Sequence, residues 1–404
     1  LVALRNLDNA TGGQTLAVFP LNGSKSKPSY ALGENLRKRG FTFSSLRLYA
    51  WLPGGDIVFS AGYGDAFNLW RIPLAHANEA EPSPVTVAPW SSNMADLRGN
   101  HLVFANLRRT GQVWRLPADV NAGRVLGDPQ RVTPDLVEAQ FPDVRRDGSA
   151  LAYVSRKGGG QGLFLLDLRT GKERTLVLEG NDAAYSTFSP DGSRVAFMLA
   201  RRGPGWPAFV ASTAGGEAKF VGDGGGRIRG WSRDGRFLLI WSAHGGPRTA
   251  RVLDLTNGRV TDIIKSDFPI DGARFSPDSR WIAFLSAEED PKPRLWIAPF
   301  RGAQPVPPAD WIEIAGGGTL PFWSPDCRSF YYARTKANNP SDVTFFRQPL
   351  DTAGKPTGSA KEFYSVRGYG VGGLLLNTIC TTREHVYLLL ESGQSDIWMM
   401  DLPQ

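Results

Sequence analysis

The chain has 404 residues, 41% hydrophobic, 11% aromatic and 21% charged, with a formal net charge of +7. This is the composition of a globular protein with enough chain to bury a large core. No run approaches the ~20 apolar residues of a membrane-spanning helix, and Lys and Arg are scattered without a run of five, which argues against a nucleic-acid partner.

Taken in chain order, the first residues already look like strand at Val2-Ala3-Leu4, and the start at Leu1 predicts a piece of a longer protein or a mature form after cleavage. Thr15 to Leu21 reads as a second strand. Ser24 to Arg39 is the least regular stretch; within it Ala31 to Arg39 predicts a short helical or irregular insertion, with positive charge at Arg37, Lys38 and Arg39.

From about residue 43 the chain repeats itself. Ser189-Pro190-Asp191-Gly192, Ser232-Arg233-Asp234-Gly235, Ser276-Pro277-Asp278-Ser279 and Ser324-Pro325-Asp326-Cys327 are each followed by an apolar triplet, such as Val195-Ala196-Phe197 or Phe330-Tyr331-Tyr332. Arg146-Asp147-Gly148 precedes Leu151-Ala152-Tyr153, and weaker copies lie near Gly55, Gly99 and Arg383. The anchors recur about every 43 to 56 residues, close to propeller repeat lengths. In each anchor Pro fixes φ, Asp bonds its own backbone and Gly accepts positive φ, which is turn chemistry. The triplet predicts a strand buried on both faces. Four positions before the last anchor residue stands a large apolar side chain, at Trp51, Val144, Phe188, Trp231, Phe275 and Trp323, suited to filling the wedge between blades. A third strand follows, as at Leu69-Trp70-Arg71-Ile72, Val113-Trp114-Arg115-Leu116, Leu295-Trp296-Ile297-Ala298 and Ile397-Trp398-Met399-Met400, and then a fourth, more polar one.

Four antiparallel strands per repeat predict an all-β propeller of eight blades, with seven as the alternative. The blades fall at about 43–90, 91–133, 134–180, 181–225, 226–268, 269–318, 319–367 and 368–404, in one domain spanning 1–404. The last repeat stops after its third strand, so the expected closure pairs the N-terminal strand with the last blade and protects its edge.

The unit W/F-S-P-D-G-x-x-hydrophobic-A-F/Y resembles the TolB-like, WD40-like repeat family over nearly the whole chain. Gln112-Val113-Trp114-Arg115-Leu116-Pro117, Ile297-Ala298-Pro299-Phe300 and Arg347-Gln348-Pro349-Leu350-Asp351 resemble the propellers appended to bacterial receptor-type serine/threonine kinases and winged-helix regulators. That resemblance implies a sensor or protein-interaction domain with no catalytic residues of its own. It also implies an extracytoplasmic or periplasmic setting, with a cytoplasmic one as the alternative. Ser279 and Cys327 depart from it by standing where glycine is usual.

A search for chemistry leaves little. There is no G-x-S-x-G elbow, H-E-x-x-H pair, P-loop or kinase signature. His76, His101, His244 and His385 lie in four repeats without ligand spacing, and Cys327 and Cys380 read as free thiols. The aspartates 147, 191, 234, 278 and 326 occupy one turn position in separate blades and are read as structural. Gly158 to Gly162 and Gly224 to Gly226 are read as hairpin turns, and Glu288-Glu289-Asp290 as a solvated tip. The expectation is therefore a non-enzymatic, monomeric module without metal or cofactor. It takes a protein, peptide or small ligand at the mouth of its axial channel. The residue about eight before the last anchor residue should begin the innermost strand, and polar residues there nominate Gln140, Arg227, Arg229 and Asp271. The alternatives are a hydrolase or lyase with carboxylates facing across that mouth, or the accessory propeller of a serine peptidase.

Overall fold

The computed structural model describes residues 2–6, 14–18, 35–36, 38–39, 41, 48–52, 54–63, 66–74, 79–86, 91–98, 101–134, 138–157, 160–177, 183–199, 207–241, 249–286, 293–336, 339–367, 370–371 and 379–402. His76, His244, Arg37, Gly158 and the acidic tip at 288–290 lie outside them. Among the described residues the regular structure is almost wholly strand, no helix is long and apolar enough to cross a membrane, and both cysteines are free. Among the described residues the strands form eight sheets, seven of them with four strands or more. The sequence predicts seven or eight blades.

The chain divides into two compact units, Leu1–Arg109 with Gly393–Gln404, and Thr110–Ser392. In the first unit, Leu48–Trp51, Asp56–Tyr63, Ala66–Pro73 and Ser83–Pro84 form one antiparallel sheet in chain order. Its core joins Ile57, Phe59 and Ile72 to Leu36 and Phe41, and Phe41 meets Trp70 edge-on at 4.9 Å. Asn35, Leu36 and Lys38 are helical. Ser91–Arg98 pairs with the start of the long strand His101–Asp119, and His101 Nδ1 lies 2.5 Å from Asp401 Oδ1.

In the second unit five repeats each make one four-stranded sheet in chain order, beginning at Gln140–Val144, Ala183–Phe188, Arg227–Trp231, Ile270–Phe275 and Thr319–Trp323. The second strands carry the apolar triplets and are buried on both faces; Phe237–Trp241 is buried at every position. The fourth strands are polar and exposed, as at Glu173–Val177 and Lys219–Asp223. The large residue at the end of each inner strand is buried: Val144 6%, Phe188 7%, Trp231 7%, Phe275 8% and Trp323 3% exposed. The corresponding Trp51 in the first unit is 48% exposed.

The sixth sheet combines two distant stretches. Ile379–Thr381 pairs with residues 386–388, the strand containing them, His385–Asp401, neighbours His101–Asp119, and the latter pairs with Gln130–Arg131. Ala118 N–H donates to the Glu384 carbonyl at 2.9 Å. This sheet packs on both sides. Leu116, Ala118, Val386 and Leu388 share a core with Phe322, Tyr331 and Phe345 of the fifth sheet, while Val113, Cys380, Tyr387 and Leu389 share one with Val144, Leu151 and Tyr153 of the first. Each inner strand abuts the next, and Ile379–Thr381 abuts both Thr319–Trp323 and Gln140–Val144. Six inner strands therefore surround a common axis within this unit.

The pairing of the last blade differs from expectation. Among the described residues Gln14–Val18 pairs with Val2–Asn6 in a local hairpin, and His385–Asp401 pairs with His101–Asp119, Gly370–Val371 and Ile379–Thr381; residues 19–21 lie outside the described residues. The sequence predicts separate strands at 102–104 and 113–116, and again at 386–388 and 397–400. Each pair is one continuous strand, of 19 and 17 residues. No proline interrupts 105–112 or 389–396, so nothing in the backbone chemistry forces a turn. Gly224 to Gly226 join the outer strand of one blade to the inner strand of the next, rather than turning a hairpin. A Cβ at Gly226 would lie 2.3 Å from the Trp241 carbonyl oxygen, which explains glycine at that crossing.

The anchors are structural turns. Ser189, Ser232, Ser276 and Ser324 each donate a hydroxyl to the Asp two residues on, and each accepts the backbone N–H five residues on. The Ser189 and Ser193 hydroxyls hold the Asp191 carboxyl down at about 2. The last anchor residue takes positive φ in every copy: 74° at Gly148, 70° at Gly192 and Gly235, 56° at Ser279 and 61° at Cys327.

Candidate binding site at the axial mouth

The inner strands are not regular. Each pairs with its neighbour through a register shift, between Gln140 and Asp143, Ala184 and Thr187, Ile228 and Gly230, Asp271 and Arg274, and Thr319 and Phe322. Phe141, Tyr185 and Leu320 sit in the left-handed region at φ 47°, 56° and 51°, and Gly272 at 69°. A bulge of this kind re-aims the side chains that follow it. It turns the residue just before each wedge residue toward the axis: Asp143, Thr187, Gly230, Arg274 and Phe322 all line one cavity.

That cavity measures about 230 Å³. Its walls include Phe188, Trp231, Phe275 and Trp323, Arg229 and Cys380 lie within it, and Arg146, Pro190, Arg233 and Pro277 of the anchor turns form its rim. The opening is therefore on the turn side of the second unit. Hydrogen bonds between inner strands, two of them between neighbours and one across the ring, fix the wall. Ser186 Oγ donates to the Phe141 carbonyl at 2.7 Å, Trp231 Nε1 to that of Thr187 at 3.1 Å, and Arg274 to that of Ile379 at 2.6 Å.

Two kinds of charge meet here. Asp143 Oδ2 accepts from Thr187 Oγ1 at 3.1 Å and from the Phe188 N–H at 2.7 Å, and Oδ1 accepts from the Val144 N–H at 3.0 Å. Burial outweighs these donors and the nearby Arg274, raising its pKa to about 6. Arg229 is 7% exposed. Its guanidinium lies over Tyr185 at 5.7 Å and Trp241 at 5.0 Å, and Arg227 shares both rings. Burial lowers the pKa of Arg229 to about 10; Tyr185 and Asp271 oppose the fall, and Arg227 and Arg274 add to it. Burial also lowers that of Arg274 and pushes the Cys380 thiol well up.

The four residues nominated by the sequence are divided by this arrangement. Arg229 lines the cavity. Arg227 stacks beside it on the same rings, and Asp271 acts electrostatically on Tyr185 and Arg229. Gln140 is at the start of its strand, bonded to Glu138 at 3.1 Å. Asp143, Arg274, Thr187 and Cys380 escape the sequence reading. The signal for the first three was present in the repeat itself, one position before the recurring wedge residue, but the bulge breaks the alternation that would have pointed to it.

No protein-family model and no curated protein matches the chain. Among solved structures, a TolB protein from Agrobacterium tumefaciens aligns over 70% of this chain and 99% of its own, with TM-score 0.53 and 18% identity. The fold is that of a TolB-like β-propeller. TolB from Acinetobacter baumannii aligns over 92% of this chain and 86% of its own, at TM-score 0.48 and 13% identity. An oligogalacturonate lyase from Vibrio parahaemolyticus aligns over 70% and 97%, at 0.45 and 11%. Against that TolB-like frame, the axial mouth of the second unit combines aromatic walls, one carboxylate and four guanidinium groups. Among the described residues no group of three or more His, Cys, Asp or Glu could hold a metal ion.

Proposed function

We propose that the chain is a non-catalytic interaction propeller that takes a segment of a partner protein or peptide into the axial mouth of its second unit. The observation that carries this reading is the cavity. It opens on the turn side, is walled by aromatic side chains, and at about 230 Å³ falls below the ~300–1,000 Å³ of drug-sized sites. That volume suits one or two side chains of a protruding segment. The walls are cross-tied by the bonds between inner strands, so little ordering cost opposes binding. The lining holds one carboxylate, Asp143, and no histidine. A glycoside-hydrolysing pair needs two carboxyl groups ~5–10 Å apart, so this lining favours binding over the hydrolase reading. The wider reading is a sensor or interaction part of a larger bacterial signalling protein outside the cytoplasm, and it rests on the repeat resemblance.

The test is selection of displayed random peptides on the full chain, followed by affinity measurement on Gly230→Trp. Gly230 lines the cavity and a Cβ there meets nothing within 4 Å, but its φ of 156° strains any side chain placed there, so the variant is read only with its melt beside it. Selected peptides should lose binding to a Gly230→Trp protein that melts as the parent does. Selected peptides that bind both forms equally would place recognition elsewhere and end this reading.

A further inference from the structure

We infer that the third strand of the last repeat, in the first unit, accepts an extended segment of another protein as its fourth strand. The segment that fits begins with a lysine or arginine set opposite Asp401. This surface lies wholly in the first unit and is independent of the axial-mouth reading.

The repeat shows what the position ordinarily holds. Leu166-Asp167-Leu168 and Leu253-Asp254-Leu255 each close a third strand, and a fourth strand follows after a turn. Met400-Asp401-Leu402 closes the third strand of the last repeat in the same way. With the aspartates aligned, Ile397 and Met399 correspond to Ala250 and Val252. Those two are fully buried, whereas Ile397, Trp398 and Met399 are 81%, 54% and 70% exposed. One edge of the strand is occupied, since it neighbours His101–Asp119 and Asp401 meets His101. On the other edge the pairings among the described residues stop at Leu390 and Glu391, opposite Gly370–Val371. Among those residues no strand lies against 396–401 on that side. Open edges are usually blunted by lysine, proline or a bulge. Asp396 to Asp401 contains neither lysine nor proline, and its three consecutive large apolar side chains mark an interaction surface.

The chain's own fourth strands give the chemistry of the occupant. Asp254 stands in register with Arg259, the first residue of Arg259–Ile264. Asp167 N–H donates to the Lys172 carbonyl, just before Glu173–Val177. Ile264 pairs with Ala250, so Lys265 falls beside the position that Asp396 takes in the last repeat. Asp396 and Asp401 are both exposed and bracket the apolar run. Opposite charges facing each other across a ladder stabilise it, and like charges oppose it. A second copy laid antiparallel in full overlap would set Asp396 of each chain against Asp401 of the other. The edge therefore favours a foreign strand with a cation at each end and apolar residues between, added by main-chain pairing.

The test is hydrogen exchange on the full chain, read by mass spectrometry, with a blocked peptide of the sequence of residues 259–265 as probe. In the dilute chain alone, 397–401 should exchange at least about tenfold faster than 250–254, whose two edges are both paired. Excess peptide should slow 397–401 at least about tenfold. Asp401→Arg, at an exposed position, should abolish that slowing, and a peptide with glutamate in place of Arg259 should restore it. Exchange at 397–401 as slow as at 250–254 in the dilute chain would overturn the inference, because the chain then covers the edge itself. A peptide without effect, or one indifferent to the charge swap, would overturn it too. So would protection that grows with chain concentration alongside a dimer in sedimentation, which would make a second copy the occupant.

Discussion

Replacing Asp143 by asparagine isolates the electrostatics of the cavity wall in one measurement. The carboxyl has a folded pKa of about 6 against an ordinary 3.8, because burial outweighs its three donors and Arg274. The folded chain therefore keeps a proton that the unfolded chain releases between pH 3.8 and about 6. The stability from this group is complete below that window and is lost as pH rises through it. At 1.36 kcal/mol per unit the loss is about 3 kcal/mol, of which about 2 kcal/mol falls between pH 4.5 and 7.5. Asparagine does not titrate, but it cannot accept all three bonds, which costs about 1–3 kcal/mol at any pH. The variant should thus be less stable than the parent at pH 4.5, with the gap narrowing by about 2 kcal/mol at pH 7.5. Guanidinium unfolding at both pH values, followed by tryptophan fluorescence and far-UV circular dichroism, reads this directly. A gap that stays constant, or widens as pH rises, would mean that Arg274 keeps the carboxylate ionised and that desolvation does not dominate the wall.

Three further outcomes follow from the packing. Trp323→Ala should cost about 3–5 kcal/mol, as expected of a filled core position, whereas the half-exposed Trp51→Ala should cost well under half of that; thermal melts of the two variants compare them. Ser324→Ala should cost about 1–3 kcal/mol, because the buried Ser329 N–H loses the hydroxyl it donates to at 2.9 Å; amide exchange at Ser329 should quicken with it. Burial raises the Cys327 thiol to about 12 and the Cys380 thiol well above its usual value. Ellman's reagent at pH 8 should therefore modify neither at an appreciable rate in the folded chain, and both after denaturation.

Much of this was legible in the residues because the repeat encodes local chemistry. Ser-Pro-Asp-Gly specifies a turn wherever it stands, and Ser279 and Cys327, standing where glycine is usual, mark left-handed positions that the backbone adopts. An apolar triplet such as Leu238-Leu239-Ile240 announces a strand covered on both faces. The long-range features were not legible. His385–Asp401 finds its partner nearly three hundred residues earlier, and a strand's apolar pattern says that it pairs without saying with what. The full lining of the cavity was not legible for a sharper reason. Counting alternate residues from the start of Gln140–Val144 or Ile270–Phe275 assumes an unbroken pleat. The bulges at Phe141 and Gly272 reset that count and bring Asp143 and Arg274 to the axis instead of Gln140 and Asp271. Arg229 was reached because it stands within the bulged segment.

The sixth sheet of the second unit has a consequence for synthesis on the ribosome. Its strand segments at 110–119 and 130–131 are made early, and those at 379–381 and 385–392 nearly 250 residues later. At about 5–20 residues per second the early strands wait on the order of ten to fifty seconds for their partners. Through that interval five complete blades can form in order while the two flanking clusters stay incomplete, the one around Val144 and Tyr153 lacking Cys380, Tyr387 and Leu389, and the one around Phe322 and Phe345 lacking Val386 and Leu388. Nascent chains of this protein should therefore depend on whatever shields apolar surface in the cell until the last few dozen residues of the unit emerge.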